Sequence, residues 1–349
     1  MEGISPSHDE INVSGHPTPA SRKKKGAMPM NDRLVAEALA QYGLEGSRWQ
    51  LIRHNENMTV QVEERYLLRI HLHRDGFSTD AYYDGLDRAE IRRTELAFLR
   101  HLADRGMTVQ KPVPNLRGDC VTMLSGGVCA TVLQWIPGHT PGEADACDDL
   151  FFRVGALTAR MHRAAAGFQA DSILRYDAAM CRRLRNRLMK AQRDGLLSSA
   201  HAEAMLAACR VMACRLHGGE QIPVHADLCS GNMLITKAGL VPIDFSLMGI
   251  GHPMLDISAL YGSMNGVDCR RLVAEGYRAE GGVVSFPELD ACFALNILLY
   301  IVLHLDGAAE DARFRSNLDR WCRQSFQPLA DGKRLIGDDF RMLNVPDSV

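Results

Sequence analysis

Residues 222–257 constrain this chain more than any other stretch. Two short apolar runs, Met233-Leu234-Ile235 and Leu240-Val241-Pro242-Ile243, are separated by Thr236-Lys237-Ala238-Gly239. Runs of this length around a glycine-bearing turn predict a β-hairpin. Asn232 leads into the first strand and Asp244 leaves the second, so a hairpin brings both to one open end. Asp227, within His225-x-Asp227, lies on the loop just before. An amide and a carboxylate converging on one point are hard oxygen ligands, suited to Mg²⁺ with bound phosphate. A further carboxylate that the metal does not need, Asp227, can take a proton from an attacking hydroxyl. One base and two metal ligands at fixed spacing are the parts used for phosphoryl transfer.

His225-x-Asp227-x-x-x-x-Asn232, followed by Ile243-Asp244-Phe245, resembles the catalytic and metal loops of the aminoglycoside phosphotransferase and choline kinase family. These are relatives of the protein kinases that mostly phosphorylate small molecules, and the Asp-to-Asn spacing is that of the kinase catalytic loop. The resemblance implies an α+β, two-lobed protein-kinase-like fold, with a small N-terminal antiparallel-sheet lobe and a larger, mostly helical C-terminal lobe. It places a nucleotide-binding lobe at 30–135 and a catalytic and substrate lobe at 136–349. Residues 1–29 are rich in Ser, Pro, Gly and His and carry Arg22-Lys23-Lys24-Lys25, the composition of a disordered tail. They contain no apolar segment of the secretory-signal kind.

In the N-terminal lobe, Asp32 to Ala40 reads as an amphipathic helix capped at Asn31 or Asp32. Strands are expected at 48–53 and 58–62 by alternation, with 66–71 as a third. Between the first two lies His54-Asn55-Glu56-Asn57, which stands where protein kinases carry a glycine-rich loop but contains no glycine. By the resemblance, Asn55 and Asn57 position the nucleotide through amides. Arg69 occupies the family's strand-three cation position, where a guanidinium fork grips phosphate oxygens. Glu95 on the next helix is its expected ion-pair partner, with Glu90 as the second choice. The polar stretch 72–88 is long for a loop and is expected to fold over nucleotide or substrate. Gln134-Trp135-Ile136 resembles the linker between lobes and supplies the adenine-contact candidates.

The C-terminal lobe opens with a helix at 150–166, its apolar face marked by Val154, Leu157 and Met161. Arg182, Arg183, Arg185 and Arg187 read as a solvated helix face or an anion-attracting patch. His225 is assigned to holding the loop, and Asp256, in His252-Pro253-Met254-Leu255-Asp256, to accepting hydrogen bonds from the catalytic-loop backbone. Cys229-Ser230 departs from the family, which commonly has His-Pro there, while protein kinases have a phosphoryl-neutralising Lys. That departure leaves Arg69 and the metal to neutralise the transferring group. Helices fill 268–326, and 331–349 is expected to be peripheral. The longest apolar run, 294–305, falls short of a membrane span and reads as a buried helix.

A net charge of −2 offers no basic field for nucleic acid. The ten cysteines are scattered with no CxxC pair, the usage of a reduced, cytoplasmic protein. The expected activity is an ATP- and Mg²⁺-dependent phosphotransferase acting on a hydroxyl of a small molecule, such as an amino alcohol, a sugar or an aminoglycoside-like antibiotic. No membrane or nucleic-acid partner is expected, and a homodimer is compatible with the reading. The alternatives are a protein Ser/Thr kinase of the bacterial stress-response type and a nucleotide-binding pseudokinase. Asn55-Glu56-Asn57 leans toward the first and Cys229 against it; the presence of Asp227, Asn232 and Asp244 disfavours the second.

Overall fold

A computed structural model describes residues 30–83, 85–264, 266–307 and 312–344. The N-terminal part opens with helix α1 (Met30–Gln41) and strands β1 (Trp49–His54), β2 (Met58–Val62) and β3 (Tyr66–Ile70). Short helix α2 (Asp80–Tyr83), helix α3 (Arg88–Asp104) and strands β4 (Pro112–Val113), β5 (Val121–Met123) and β6 (Cys129–Gln134) follow. The strands form one antiparallel sheet in the order β1-β2-β3-β6-β4, with β5 also paired to β6. β2 alternates buried and half-buried residues, so Met58, Val60 and Val62 face inward. Together with Leu68, Ile70 and Val132 they pack on Leu34, Val35 and Leu39 of α1, a small apolar core of their own. α3, capped by Asp87 through the backbone N–H of Ala89 and Glu90, instead joins the larger core through Leu96, Phe98, Leu99 and Leu102.

The remaining elements are α4 (Asp148–Ala165), β7 (Leu174–Arg175), α5 (Ala178–Arg193), α6 (Ser199–Arg215), β8 (Ile222–Val224), β9 (Met233–Thr236), β10 (Gly239–Pro242) and β11 (Gly249–Gly251). Helices α7 (Met254–Ser263), α8 (Val267–Ala279), α9 (Phe286–His304), α10 (Ala312–Trp321) and α11 (Gln327–Ala330) complete the chain. The result is the expected two-lobed α+β arrangement, with an antiparallel sheet first and helices after it. α4 and α8 cross in close contact. A Cβ on Gly155 would lie 1.9 Å from the carbonyl oxygen of Val273, and one on Gly276 would lie 1.9 Å from that of Phe152. The crossing exists only because both positions lack a side chain.

Several expectations are corrected. The apolar helix is longer than 294–305: Phe286–Gly307 is long and apolar enough to cross a membrane by length and composition, and 72% of its most apolar window is buried inside the fold. Its polar interruptions are satisfied, since Asp290 takes Arg334 and the Ile336 N–H, and Asn296 bonds the Leu255 carbonyl. Residues 331–344 are not peripheral, because Leu335, Ile336 and Phe340 are buried and Arg270 donates to the Phe340 carbonyl. Nor is the α5 arginine cluster a plain solvated face. Arg183 donates to the Ala81 carbonyl and Arg187 pairs with Asp306, so both tie α5 to other elements. α1 begins at Met30, ahead of the expected caps. The tail at 1–29 lies outside the described residues.

Candidate active site

The hairpin of β9 and β10 is in register from Met233↔Pro242 to Gly239↔Thr236. One further bond, from Ile243 N–H to the Asn232 carbonyl at 2.9 Å, extends the ladder and fixes Asn232 beside Asp244. Asp244 adopts φ +60°, a conformation that costs a non-glycine residue energy and that the surrounding contacts must enforce.

The loop before the hairpin is held from below. Asp256, fully buried, accepts the backbone N–H of His225 at 3.0 Å and of Ala226 at 2.7 Å. It also meets His162 Nε2 at 2.9 Å, and His162 Nδ1 meets the Tyr277 hydroxyl at 2.9 Å. Ala226 sits at φ +65°, so this bonding holds a strained residue in place. His225 Nε2 lies 2.9 Å from the Ile243 carbonyl, which requires that nitrogen to carry the proton. Its Nδ1 then accepts the Asp227 N–H at 3.3 Å. Burial lowers the His225 pKa, and the neutral tautomer ties the loop carrying Asp227 to the strand end before Asp244.

Asp227 emerges from this loop. Asn232 Nδ2 donates to Asp227 Oδ2 at 2.7 Å and to its carbonyl at 2.9 Å. Burial, then the charges of Asp244 and Glu56, push the Asp227 carboxyl up to about 8, with Arg53 and Asn232 opposing. A carboxylate poised there is suited to general-base work near neutral pH. Asp244 goes the other way. Burial opposes its ionisation, but Arg69 and Arg53 outweigh it and hold the carboxyl well below the usual range. Two adjacent carboxylates are thus driven apart, one toward proton acceptance and one toward permanent charge.

Arg69 lies in the middle strand of the sheet and is 2% exposed. Its Nη1 donates to Asp244 Oδ1 at 2.8 Å and its Nη2 to Glu95. Glu95 is therefore its partner, as expected, whereas Glu90 pairs with Arg93 on the surface. The other Glu95 oxygen takes Arg92 at 2.8 Å. Asn57 is fixed by His71 Nδ1 at 2.9 Å, and the Asn55 carbonyl accepts the Arg74 N–H at 2.7 Å. That last bond ties the turn to residues 72–83, which cross to the C-terminal lobe. There the Ser78 N–H donates to the Leu303 carbonyl at 3.0 Å, and Phe77 packs on His304 at 4.7 Å between ring centroids.

These pieces enclose a cavity of about 990 Å³. Asn55, Asn57, Asp227, Asn232 and Asp244 line it, as do Phe77 and Tyr82 from the crossing segment and Asn296 and Tyr300 from α9. Gln134, Trp135 and Ile136 do not line it. The Trp135 N–H is already given to the Arg65 carbonyl at 2.8 Å, so it has no hydrogen to offer an adenine edge. Asp306, on the same wall, is paired with Arg187.

The donor set fits a divalent cation of the magnesium kind. Asn232 spends its NH₂ group on Asp227, and among the described residues its amide oxygen takes no partner. One carboxylate plus one amide oxygen leaves coordination positions for water and phosphate, as Mg²⁺ prefers. Among the described residues no cluster of three His, Cys, Asp or Glu side chains offers a softer site.

The sequence profile of the phosphotransferase enzyme family matches residues 48–292. The chain belongs to that family. It is accordingly a kinase with an alcohol group as acceptor. Amicoumacin kinase of Bacillus subtilis (strain 168) is 26% identical over 242 residues, spanning 66% of this chain and 67% of that relative. Among solved structures, an amicoumacin kinase in complex with AMP-PNP, Ca²⁺ and Ami superposes at TM-score 0.67. It is 20% identical and covers 87% of this chain and 94% of its own. A microcompartment-associated aminopropanol kinase gives TM-score 0.65 at 20% identity, over 89% and 99% of the two chains. These likenesses establish the kinase-like fold.

Three residues of the site were not singled out from sequence. Arg92 reads as a helix surface charge, and His71 as a strand end. Arg53 reads as the polar phase of an alternating strand, yet its Nη2 reaches Asp244 Oδ2 at 3.1 Å. A register shift between Leu51 and Arg53 re-aims it, a bulge with no signature in the chain.

Proposed function

We propose that this family member transfers the γ-phosphoryl group of ATP to a hydroxyl of a small molecule, with Mg²⁺. The observation that carries the reading is the convergence of Asp227, Asn232 and Asp244 on one cavity, with Asn232 bonded to Asp227 and Asp244 held by two arginines. Asp227 orients the acceptor hydroxyl and takes its proton as the acceptor oxygen bonds to the γ-phosphorus and the bond to the bridging oxygen breaks. Asn232 and Asp244 hold the cation. When bound, Mg²⁺ neutralises phosphate charge and fixes the phosphate chain. Arg69, with Glu95 behind it, orients Asp244 toward that site. Asn55 and Asn57 frame the phosphates, while His225 and Asp256 keep the loop in its strained shape. A division near residue 135 into nucleotide-binding and catalytic lobes accords with this arrangement.

The crossing segment at 72–83 supports a small acceptor over a protein one, because it bridges the turn after β1 to α9 and closes the groove a peptide would need. The names of the similar kinases, for amicoumacin and aminopropanol, point the same way, toward a small-molecule acceptor. The test is ATP turnover with Mg²⁺ against a panel of small hydroxyl compounds and generic protein substrates, beside Asp227→Ala. Turnover that depends on a small acceptor and disappears in the variant is the expected result. Turnover on protein alone, or none on any acceptor despite nucleotide binding, would overturn it.

A further inference from the structure

Asp244 carries an arginine on each carboxylate oxygen. Arg69 holds Oδ1 at 2.8 Å and Arg53 holds Oδ2 at 3.1 Å. A cation shared with Asn232 must take one of those oxygens. The two arginines are not equally able to yield it. Arg69 is 2% exposed and locked by Glu95 as well. Arg53 is 34% exposed, and Asp244 is its one ion-pair partner among the described residues. It stands on the bulged end of β1, next to the Asn55-Glu56-Asn57 turn, and lines the cavity with Asp227, whose charge acts on it after those of Asp244 and Glu56. Cys229 is a buried thiol and supplies no cation to the position beside Asp227.

We propose that Arg53 exchanges partners during the reaction: it is the counterion of Asp244 while the cation is absent, and it turns onto the transferring phosphoryl group once the cation takes the Asp244 oxygen. The inference rests on the phosphotransferase reading above. Arg53 is then a further catalytic residue, the cation that compensates charge on the equatorial phosphoryl oxygens from the N-terminal side. The exchange has a physical logic. Without metal the guanidinium lowers the cost of a buried carboxylate. With metal and nucleotide the incoming charges reverse its preference, and a planar fork suits phosphate oxygens as well as carboxylate.

The exchange makes an opposite-sign prediction. Arg53 competes with metal but assists transfer, so Arg53→Gln should bind Mn²⁺ tighter without nucleotide and yet turn over more slowly. We expect Mn²⁺ affinity, read by the EPR signal of free ion, to rise about five-fold, the size of a partly exposed ion pair. We expect kcat to fall about 100-fold, the order seen for one lost transition-state donor, with KM for ATP changed little. Arg53→Lys, which keeps charge but not the fork, should show wild-type Mn²⁺ affinity and intermediate kcat. Mn²⁺ affinity unchanged or weakened in Arg53→Gln would overturn the competition, and an unchanged kcat would overturn the catalytic role. If Arg53→Gln does not fold, Arg53→Lys carries the test, with unchanged kcat the outcome that overturns it. A wild-type protein that binds Mn²⁺ more weakly than Arg53→Gln but phosphorylates nothing would sink the phosphotransferase reading while leaving the metal competition standing.

Discussion

Arg69 and Glu95 meet in the interior between the sheet and α3, at 2% and 1% side-chain exposure, and Arg69 hands the pair on to the Asp244 carboxylate. The pair links three segments that lie far apart in the chain, β3, α3 and the residue after β10. It is a scaffold for the site as much as an ion pair.

Removing the acid from that cluster leaves two buried guanidinium groups, Arg69 and Arg92, short of charge. Glu95→Ala is therefore expected to cost about 3–5 kcal/mol, the range for breaking a buried pair. Urea unfolding of the metal-free protein measures it. A loss under 1 kcal/mol would mean that water reaches the cluster.

Asp227 must be ionised to act as a base, and its carboxyl is raised to about 8. kcat/KM should thus climb with pH through about 8, since that ratio follows the free enzyme. Asp227→Asn should lower kcat by about 10³-fold. A flat profile between pH 6 and pH 9 in the wild type would contradict the assignment.

The same group has a stability signature. The folded value lies above that of the unfolded chain, so folding holds the proton more tightly than unfolding does. Wild-type stability should fall as pH rises from about 4 toward 8 and level off above, where the burial cost of the anion is complete. Asp227→Asn lacks this loss. Thermal melts should show the variant gaining on wild type across that window, and a constant difference would count against it.

Gly76 lies at φ +92° with its backbone against Gly307, where the crossing segment docks on the end of α9. Gly76→Ala has room for the methyl but not for the backbone angle, a strain of about 1–2 kcal/mol. The Ser78 N–H, bonded to Leu303, should then exchange its hydrogen faster, and KM for the acceptor should rise more than KM for ATP. Unchanged exchange at Ser78 would show that the segment tolerates the strain without opening.

At the α4–α8 crossing a methyl has no space at all, since the built Cβ of Gly276 falls 1.9 Å from the Phe152 carbonyl oxygen. Gly276→Ala should cost about 4 kcal/mol, at the severe end for single changes. A melt within 2 °C of wild type would require the helices to slide freely.

The catalytic segment was legible because its information is local. A short glycine-bearing turn between short apolar runs dictates a hairpin, and a hairpin dictates that the residues flanking it share an end. Asn232 and Asp244 follow from that geometry, and Asp227 from its offset. Glu95 was legible through the resemblance, as the first choice of ion-pair partner for Arg69. The surroundings of Trp135 were not legible in the same way. Whether a backbone N–H is free depends on what crosses it, and Arg65, seventy residues earlier, takes the one on Trp135.

What the chain alone determined, then, are the features set by neighbours within a few residues: the hairpin, the alternation of β2, the helix faces, and the order of Asp227, Asn232 and Asp244. Tertiary structure decided the charge state of the two carboxylates and the shape of the space around them. Asp227 and Asp244 are the same side chain seventeen positions apart. Burial raises Asp227, with the charges of Asp244 and Glu56 adding to it, whereas Asp244 is depressed because Arg69 and Arg53, more than 170 residues away in sequence, both aim at it. Coulombic effects follow distance in space, and only the folded chain sets that distance.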